Sequence, residues 1–456
     1  MAVFEGEKRI VDPVVLIVLG ANWLKHGDRN TEFFHNYATQ CKRRNTIKGL
    51  VDNLGVLHEE REAMCKLVQD FFESLHTSEV QDIDASVLND VQKKVSVEMN
   101  RGLTAPFTPD EVRKALFSID DLKAPGPDGL HAVFYKRFWD MLGGDLVQEV
   151  LQAINTATIP EGWNNTTIVL IPKVDNPDKV SQFRPISLCN VIYKVISKIL
   201  SSRLKVILPE IISDHQSAFV PGRLITDNIL LAYESVHTIK KKRGEKGLCA
   251  VKLDMHKAYD RVEWCFLEKI MLKMGFDRRW VKTIMACVTS VQYSVRFNSM
   301  ETEVFKPTRG LRQGDPLSPY LFLLVAEGLS SMLKGAEDWG ELEGIKVCRN
   351  APMISHLLFA DDSLILMHAD KQNAESLKAI LDRYCKNSGQ MISGAKSSIF
   401  FSENTEVVVK GEICEALNIM TESLNDKYLG LPALVGADRS DCFRHLIDRV
   451  RVRTNG

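Results

Sequence analysis

The sequence predicts an α+β protein, and three features carry that prediction. Segments 190–208 and 225–239 place apolar residues at helical spacing over several turns. Segments 248–254 and 356–366 are short, rich in Leu, Ile, Val and Phe, and of strand length. Residues 291–297 and 303–306 flank Asn298-Ser299 as the two arms of a hairpin.

Size and composition narrow the field. A chain of 456 residues with 45% hydrophobic content can bury a large core. A net charge of −1 excludes a polycation, so any nucleic-acid contact must come from local basic patches. The ten cysteines form no Cys-x-x-Cys pair and no Cys/His cluster, which argues against a zinc module and for free thiols in a reducing compartment. The apolar run 14–19 is too short to span a bilayer. Glu5, Glu7, Lys8 and Arg9 precede it and no small-residue cleavage site follows, so it reads as a buried strand, a helix start or a non-native N-terminus.

Residues 22–49 mix aromatics with charge, from Trp23-Leu24-Lys25-His26 to Lys42-Arg43-Arg44. Such a run suits RNA, through phosphate pairing and base stacking, or equally a surface helix with a buried aromatic stripe. Residues 58–75 read as an amphipathic helix, followed by a polar region to about 104. Thr108-Pro109-Asp110-Glu111 is a strong helix start: Thr as N-cap, Pro in the first turn, Glu three residues on. Lys123-Ala124-Pro125-Gly126-Pro127-Asp128-Gly129-Leu130 is a rigid loop that could offer backbone N–H groups to phosphate or serve as a plain connector. Segment 130–157 reads as helical.

Residues 167–173 form a strand ending in Lys173, and 183–188 a second extended segment carrying Arg184. Two cations on such segments suit a triphosphate or are ordinary surface charges. The helices 190–208 and 225–239 follow, then the basic loop 240–246. The strand 248–254 ends in Asp254, which either caps the next helix or is presented at a sheet edge. Asp260, Arg261 and Glu263 can start that next helix in its place. Segments 262–274 and 280–288 read as helices. Arg309 to Tyr320 contains two glycines that permit close backbone approach and opens a helix to 333, with Ser318-Pro319 as cap and first-turn proline. Then come helix 373–388, loop 389–397, strand 398–402, helix 405–417, the turn-bounded 427–432 and the amphipathic 442–450.

The densest feature is His356-Leu357-Leu358-Phe359-Ala360-Asp361-Asp362-Ser363-Leu364-Ile365-Leu366. Two strands flank an Asp pair at their turn. Adjacent carboxylates repel and are costly to desolvate. A hard divalent cation relieves both costs; an exposed turn avoids them.

In this order, the segments resemble the reverse transcriptases of LINE-type (non-LTR) retrotransposons, the plant kind in particular. Lys123–Leu130 resembles the family's loop before the fingers. Ile171-Pro172-Lys173 and Phe183-Arg184-Pro185-Ile186-Ser187-Leu188 resemble its fingers motifs. Leu253-Asp254-Met255-His256-Lys257-Ala258-Tyr259-Asp260, Arg309–Pro319 and Phe359-Ala360-Asp361-Asp362 resemble its successive palm motifs. Gly389–Ser397 and Tyr428-Leu429-Gly430-Leu431 resemble the fourth palm motif and the primer grip, and Trp23–His35 the N-terminal extension. The likeness covers about 22–450.

The resemblance implies a right-hand polymerase whose palm is an antiparallel sheet backed by helices. It divides the chain into an atypical N-terminus (1–21), a largely helical extension (22–104), fingers (105–247), palm (248–402), and a primer-grip region with the start of a truncated thumb (403–456). Asp254, Asp361 and Asp362 become the catalytic carboxylates. Asp254 and Asp361 would bind two Mg²⁺ about 4 Å apart, with Mn²⁺ as a substitute, and Asp362 would support them. Lys173, Arg184, Tyr259, Gln313, Gly314 and Lys396 become the nucleotide site. Tyr259, five residues after Asp254, would be the gate against a ribose 2′-hydroxyl, and Lys396 the acid for pyrophosphate. Ser393 stands where the family has an asparagine. Tyr428, Leu429 and Gly430 would grip the primer.

The expected partners are template RNA, a DNA primer and deoxynucleoside triphosphates, with no membrane. The expected location is nuclear or cytoplasmic, in a ribonucleoprotein, and not secreted. Residues 1–20 do not resemble the family, the upstream endonuclease is absent, and the chain stops where a thumb should begin. The expected function is thus RNA-directed DNA polymerase, the alternative an inactive retroelement relic or RNA-binding scaffold. A group II intron-like maturase shares the palm motifs, but the Trp23–His35 run and the lack of a maturase domain speak against it.

Overall fold

A computed structural model describes residues 46–422 except Gln81, together with 427–429, 431, 432 and scattered positions between 35 and 45. The stretches 14–19, Trp23 to Phe34 and 442–450, together with Gly430, lie outside the described residues.

The ribbon β1 (Leu50–Val51) and β2 (Leu57–His58) precedes α1 (Arg61–His76). The strand at 57–58 delays the helix start relative to the sequence expectation. α1 buries Met64, Val68, Phe72, Leu75 and His76, a stripe at three- and four-residue spacing. α2 (Val97–Thr104) lies in the stretch read only as polar, within the extension expected to be largely helical. It buries only Leu103, so it has no apolar periodicity to betray it, and Ser96 caps it by accepting from the Met99 N–H. α3 (Pro109–Phe117) starts as expected, at a capping box: Thr108 N–H donates to Glu111 Oε2 at 2.9 Å and Glu111 N–H to Thr108 Oγ1 at 3.3 Å. The expected single helix over 130–157 is two, α4 (Ala132–Arg137) and α5 (Trp139–Thr156). Phe138 leaves helical geometry between them, with φ −101° and ψ 21°. Trp139 then packs its ring against Gly143, where a Cβ would come within 2.8 Å.

β3 (Asn165–Pro172) and β4 (Phe183–Cys189) lead into the long helix α6 (Val191–Ile211) and then α7 (Ile225–Lys241). β5 (Leu248–Leu253), α8 (Trp264–Met274), α9 (Arg278–Thr289), β6 (Gln292–Phe297) and β7 (Met300–Glu301) follow. The hairpin turns at Asn298-Ser299 as expected, with Phe297 paired to Met300; farther along, Tyr293 bridges Phe305. The rest is α10 (Ser318–Asp338), β8 (His356–Phe359), β9 (Asp362–His368), α11 (Lys371–Ser388), β10 (Ser398–Phe401), α12 (Val407–Leu417), and the ribbon β11 (Lys427–Tyr428) with β12 (Leu431–Pro432).

Two four-stranded sheets organise these elements. The first has the order β4-β3-β6-β7, with β3 parallel to β6 and the other pairs antiparallel. It shares a core with α1, in which Met64, Val68 and Phe72 meet Ile168, Tyr293 and Val295. The second has the order β10-β5-β9-β8 and is antiparallel throughout. Alternate side chains of its strands take opposite faces. Cys249, Val251, Leu253, Ile365 and Met367 join the main core with α8, α10 and α11. Leu248, Ala250, Leu364 and Leu366 join a smaller cluster with α7 and Tyr428. Apolar cover on both faces explains the nearly continuous apolar runs of β5 and β9. It leaves one end of the ladder, after Leu253 and before Ser363, as the place where carboxylates emerge.

Candidate active site

In the β5–β9 ladder Leu253 pairs with Ser363. One further step of that register sets Asp254 opposite Asp362. β8 and β9 are joined by a two-residue turn, Ala360-Asp361, because Phe359 pairs with Asp362. Asp254 and the Asp pair therefore meet at one sheet end although about a hundred residues separate them. Ala360 sits at φ 54°, a left-handed conformation that costs a non-glycine residue about 1–2 kcal/mol.

Burial pushes the Asp361 carboxyl above the usual range, and the Asp254 charge pushes it further. Asp362 is raised by burial, then by Asp361 and Asp254, while Lys252 pulls it down. The two aspartates act on different surroundings. Tyr259, raised first by burial, is raised further by the charge of Asp361; Tyr428, likewise buried, by that of Asp362. Asp361 thus faces the Tyr259 side and Asp362 the side of β11.

Loop 389–397 closes over Asp254. Ser397 Oγ accepts from the Asp254 N–H at 3.1 Å, and the Ser393 N–H donates to the Asp254 carbonyl at 2.9 Å. Gly389 makes the loop's approach feasible: its φ is 77°, and a Cβ there would lie 2.2 Å from the Arg261 carbonyl oxygen. The loop carries Lys396, largely exposed, whose Nζ stands 3.9 Å from Asp254 Oδ2. Lys173 follows β3, and Arg184 lies opposite Ile171 on β4. The Lys173 ammonium is lowered by burial, then by Lys396 and Arg184, against the pull of Asp260 and Asp254. Lys396 and Lys173, from separate elements, thus approach Asp254, and Arg184 lies close enough to Lys173 to act on its charge.

Tyr259 lies on the short 3₁₀ turn Tyr259–Arg261 and stacks on Phe322 of α10. Its carbonyl accepts from the Leu311 N–H at 2.7 Å, tying it to the Arg309–Pro319 segment. There the Gln313 amide reaches both oxygens of buried Asp260, each at 3.3 Å. Burial raises that carboxyl to about 6, although Lys257 and Gln313 beside it pull the other way. Gly314 is exposed at φ 109°, where a Cβ would press to 3.3 Å on the Ser187 carbonyl oxygen. Beneath it Arg312 and Asp315 form a buried ion pair at 2.8 Å. Arg312 also donates to Tyr193 and Asn164, and Asp315 accepts from Tyr193 at 2.9 Å and from Ser197. This polar core fixes the loop from which Gln313 and Gly314 project.

Tyr428 is buried and stands apart from the cations. Its hydroxyl donates to Asn228 Oδ1 of α7 at 2.8 Å. Leu429 packs against the same cluster, at φ 49°.

The sequence reading assigned nothing to Gln216 or Asn228. Gln216 Oε1 accepts from the Ala360 N–H at 3.0 Å, and Asn228 Nδ2 donates to the Leu358 carbonyl at 3.1 Å. No periodic pattern marks the segment around Gln216, and its strand-like pairing depends on a partner more than a hundred residues away.

The donor set suits a hard divalent ion: carboxylate oxygens raised by burial and by one another, which a cation would relieve. Among the described residues no three His, Cys, Asp or Glu side chains stand close enough to hold a metal by themselves. Two carboxylates leave coordination positions for substrate oxygens. No helix among the described residues is long and apolar enough to cross a membrane.

Residues 171–433 match the family model described as reverse transcriptase (RNA-dependent DNA polymerase). The uncharacterized 149 kDa protein of transposon TX1 from Xenopus laevis is 30% identical over 372 residues, 81% of this chain and 28% of that protein. The Pol polyprotein of the type-1 retrotransposable element R2 from Popillia japonica is 27% identical over 292 residues, 64% of this chain and 38% of that protein. The uncharacterized mitochondrial protein AtMg01250 from Arabidopsis thaliana is 61% identical over 57 residues, 12% of this chain and 47% of that protein. The matched regions thus span less than half the length of each of these relatives. On the extent of the match, the chain belongs to the reverse transcriptase (RNA-dependent DNA polymerase) family, in its non-LTR retrotransposon branch.

Proposed function

We propose that this chain carries out RNA-directed DNA synthesis, adding deoxynucleotides from their triphosphates to a primer 3′-hydroxyl on an RNA template. The observation that carries the reading is the meeting of Asp254 with the Asp361 turn, approached by Lys396 and Lys173, with Arg184 near Lys173. Asp254 and Asp361 would hold two Mg²⁺, or Mn²⁺ in their place, with Asp362 supporting from the other side. When bound, such ions neutralise phosphate charge and lower the pKa of the attacking hydroxyl. The chain's own residues supply positioning and charge, the main needs of phosphoryl transfer. Lys173 and Arg184 bind and orient the triphosphate. Lys396 is placed to give a proton to the departing pyrophosphate, and its neighbour Asp254 keeps it oriented. Tyr259 closes the pocket where a ribose 2′-hydroxyl would sit. Gln313 and Gly314 form the floor under the template base pair.

In this reading 105–247 form the fingers and 248–402 the palm, with its antiparallel sheet. Residues 22–104 are an N-terminal extension, and 403–456 the primer-grip region with the start of a thumb. Tyr428, Leu429 and Gly430 would seat the primer end; the bond from Tyr428 to Asn228 supports that placement. The deciding experiment is Mg²⁺-dependent extension of a DNA primer on an RNA template. Wild type should extend, and Asp361→Asn should lose at least about a thousandfold. Equal extension by both proteins, or none by either, overturns the catalytic reading and favours an RNA-binding scaffold.

A further inference from the structure

We infer that Gln216 is a positioning residue that holds the Asp361 turn, an assignment resting on the reading of Asp361 as a metal-holding carboxylate. Gln216 is 1% exposed and lies on a segment that runs along the outer side of β8. Leu358 N–H donates to the His215 carbonyl at 2.8 Å, and Ser217 N–H to the Leu358 carbonyl at 3.1 Å. These bonds continue the sheet by one parallel partner, with Gln216 bridged to Leu358. The partnership cannot extend past Phe359 by backbone alone, because the chain there turns back through Ala360. The Gln216 side chain supplies the next bond. Its Oε1 accepts the Ala360 N–H at 3.0 Å and the Ala218 N–H at 3.0 Å. Two backbone donors meeting one atom fix that atom as the carboxamide oxygen, so the orientation of the amide is determined.

The other end of the carboxamide shows what this arrangement costs. Gln216 Nε2 is buried without a hydrogen-bond partner. An unsatisfied buried donor is destabilising, and a residue chosen for packing alone would avoid it. The acceptor end is what the site uses. It holds the N–H of Ala360, the residue immediately before Asp361, which already sits in the left-handed region at φ 54°. Without that acceptor the Ala360 peptide is free to rotate, and the Asp361 carboxylate moves relative to Asp254. A shift of about 1 Å in such a site costs about a hundredfold in rate.

The test compares wild type, Gln216→Leu and Gln216→Glu, with Asp361→Asn as control. Leu keeps the bulk and removes the acceptor; Glu keeps the acceptor. In the metal-free proteins, amide hydrogen exchange at Ala360 should be about tenfold faster in the Leu variant, while the Glu variant stays near wild type. In primer extension, the Leu variant should lose about a hundredfold in kcat and need about tenfold more Mg²⁺ for half-maximal rate. Its KM for deoxynucleotide and its affinity for template–primer should hold. Unchanged exchange at Ala360 in the Leu variant overturns the assignment. So does a loss spread evenly over kcat, KM and template affinity, the signature of general loosening. If wild type extends no primer, the polymerase reading falls and the positioning role with it, whereas the exchange measurement still decides whether Gln216 holds the turn.

Discussion

The rings of Tyr259 and Phe322 stack with centroids 4.7 Å apart and planes 12° from parallel. Phe322 is buried in the main core, so the stack fixes Tyr259 in one rotamer instead of letting it swing aside. Discrimination by shape requires that rigidity. Tyr259→Ala should raise the use of ribonucleotides relative to deoxynucleotides by about tenfold or more, measured as the ratio of kcat/KM values. Phe322→Ala, which leaves the Tyr259 ring present but unsupported, should show a smaller change in the same direction. A Tyr259→Ala enzyme that discriminates as well as wild type would sink the gate assignment.

The buried pair of Arg312 and Asp315 predicts a different response. Burial alone would lower the Arg312 guanidinium, but Tyr193 and Asp315 more than offset it and hold the charge on. Removing either partner leaves the other charge buried without compensation, at a cost of about 3–5 kcal/mol. Urea unfolding of Asp315→Ala should show a loss of that order. Arg312→Met combined with Asp315→Leu should recover part of it. The same double variant should also raise KM for deoxynucleotide, because the pair fixes the loop that carries Gln313 and Gly314.

Asp260 makes stability depend on pH in a specific direction. Its carboxyl sits at about 6 in the folded protein against an ordinary 3.8, chiefly because it is buried. The folded state therefore binds that proton more tightly than the unfolded chain. The resulting stability is present in full below the ordinary value and is lost as pH rises through about 6. Asp260→Asn keeps an oxygen for Gln313 and removes the buried charge. Its unfolding midpoint should exceed that of wild type at about pH 8, and the difference should shrink to nothing by about pH 4. A difference that does not vary over this window would contradict the burial of an ionised Asp260.

The sequence was most legible where one periodicity or one cap decided the outcome. Thr108 and Glu111 marked a helix start, and the stripe Val191, Val195, Ile199 marked α6. The strands around Asp361-Asp362 were also readable, because apolar cover on both faces produces continuous apolar runs. Much of the candidate site was legible only as an order of motifs. Nothing local in Lys173 or Lys396 says that they approach Asp254, since each reaches it from a separate element. What escaped altogether depends on pairing at long range. The parallel alignment of β3 with β6 has no local signature, and Gln216 and Asn228 look like ordinary polar residues until β8 lies beside them. Phe138 interrupts a helical pattern through backbone geometry that its apolar side chain does not advertise.

The bonds along the outer strands of the Asp-bearing sheet have a consequence for self-association. Beside β8 run His215 to Ser217, and beside β10 the Thr421 carbonyl accepts from the Ile399 N–H at 2.9 Å. Bare sheet edges are the usual template on which a neighbouring molecule adds a strand and aggregation begins. Here each outer strand already has a backbone partner from the same chain. Loss of the segment before α7 would therefore do more than loosen one turn: it would uncover an apolar edge strand and open the sheet to other copies of the protein.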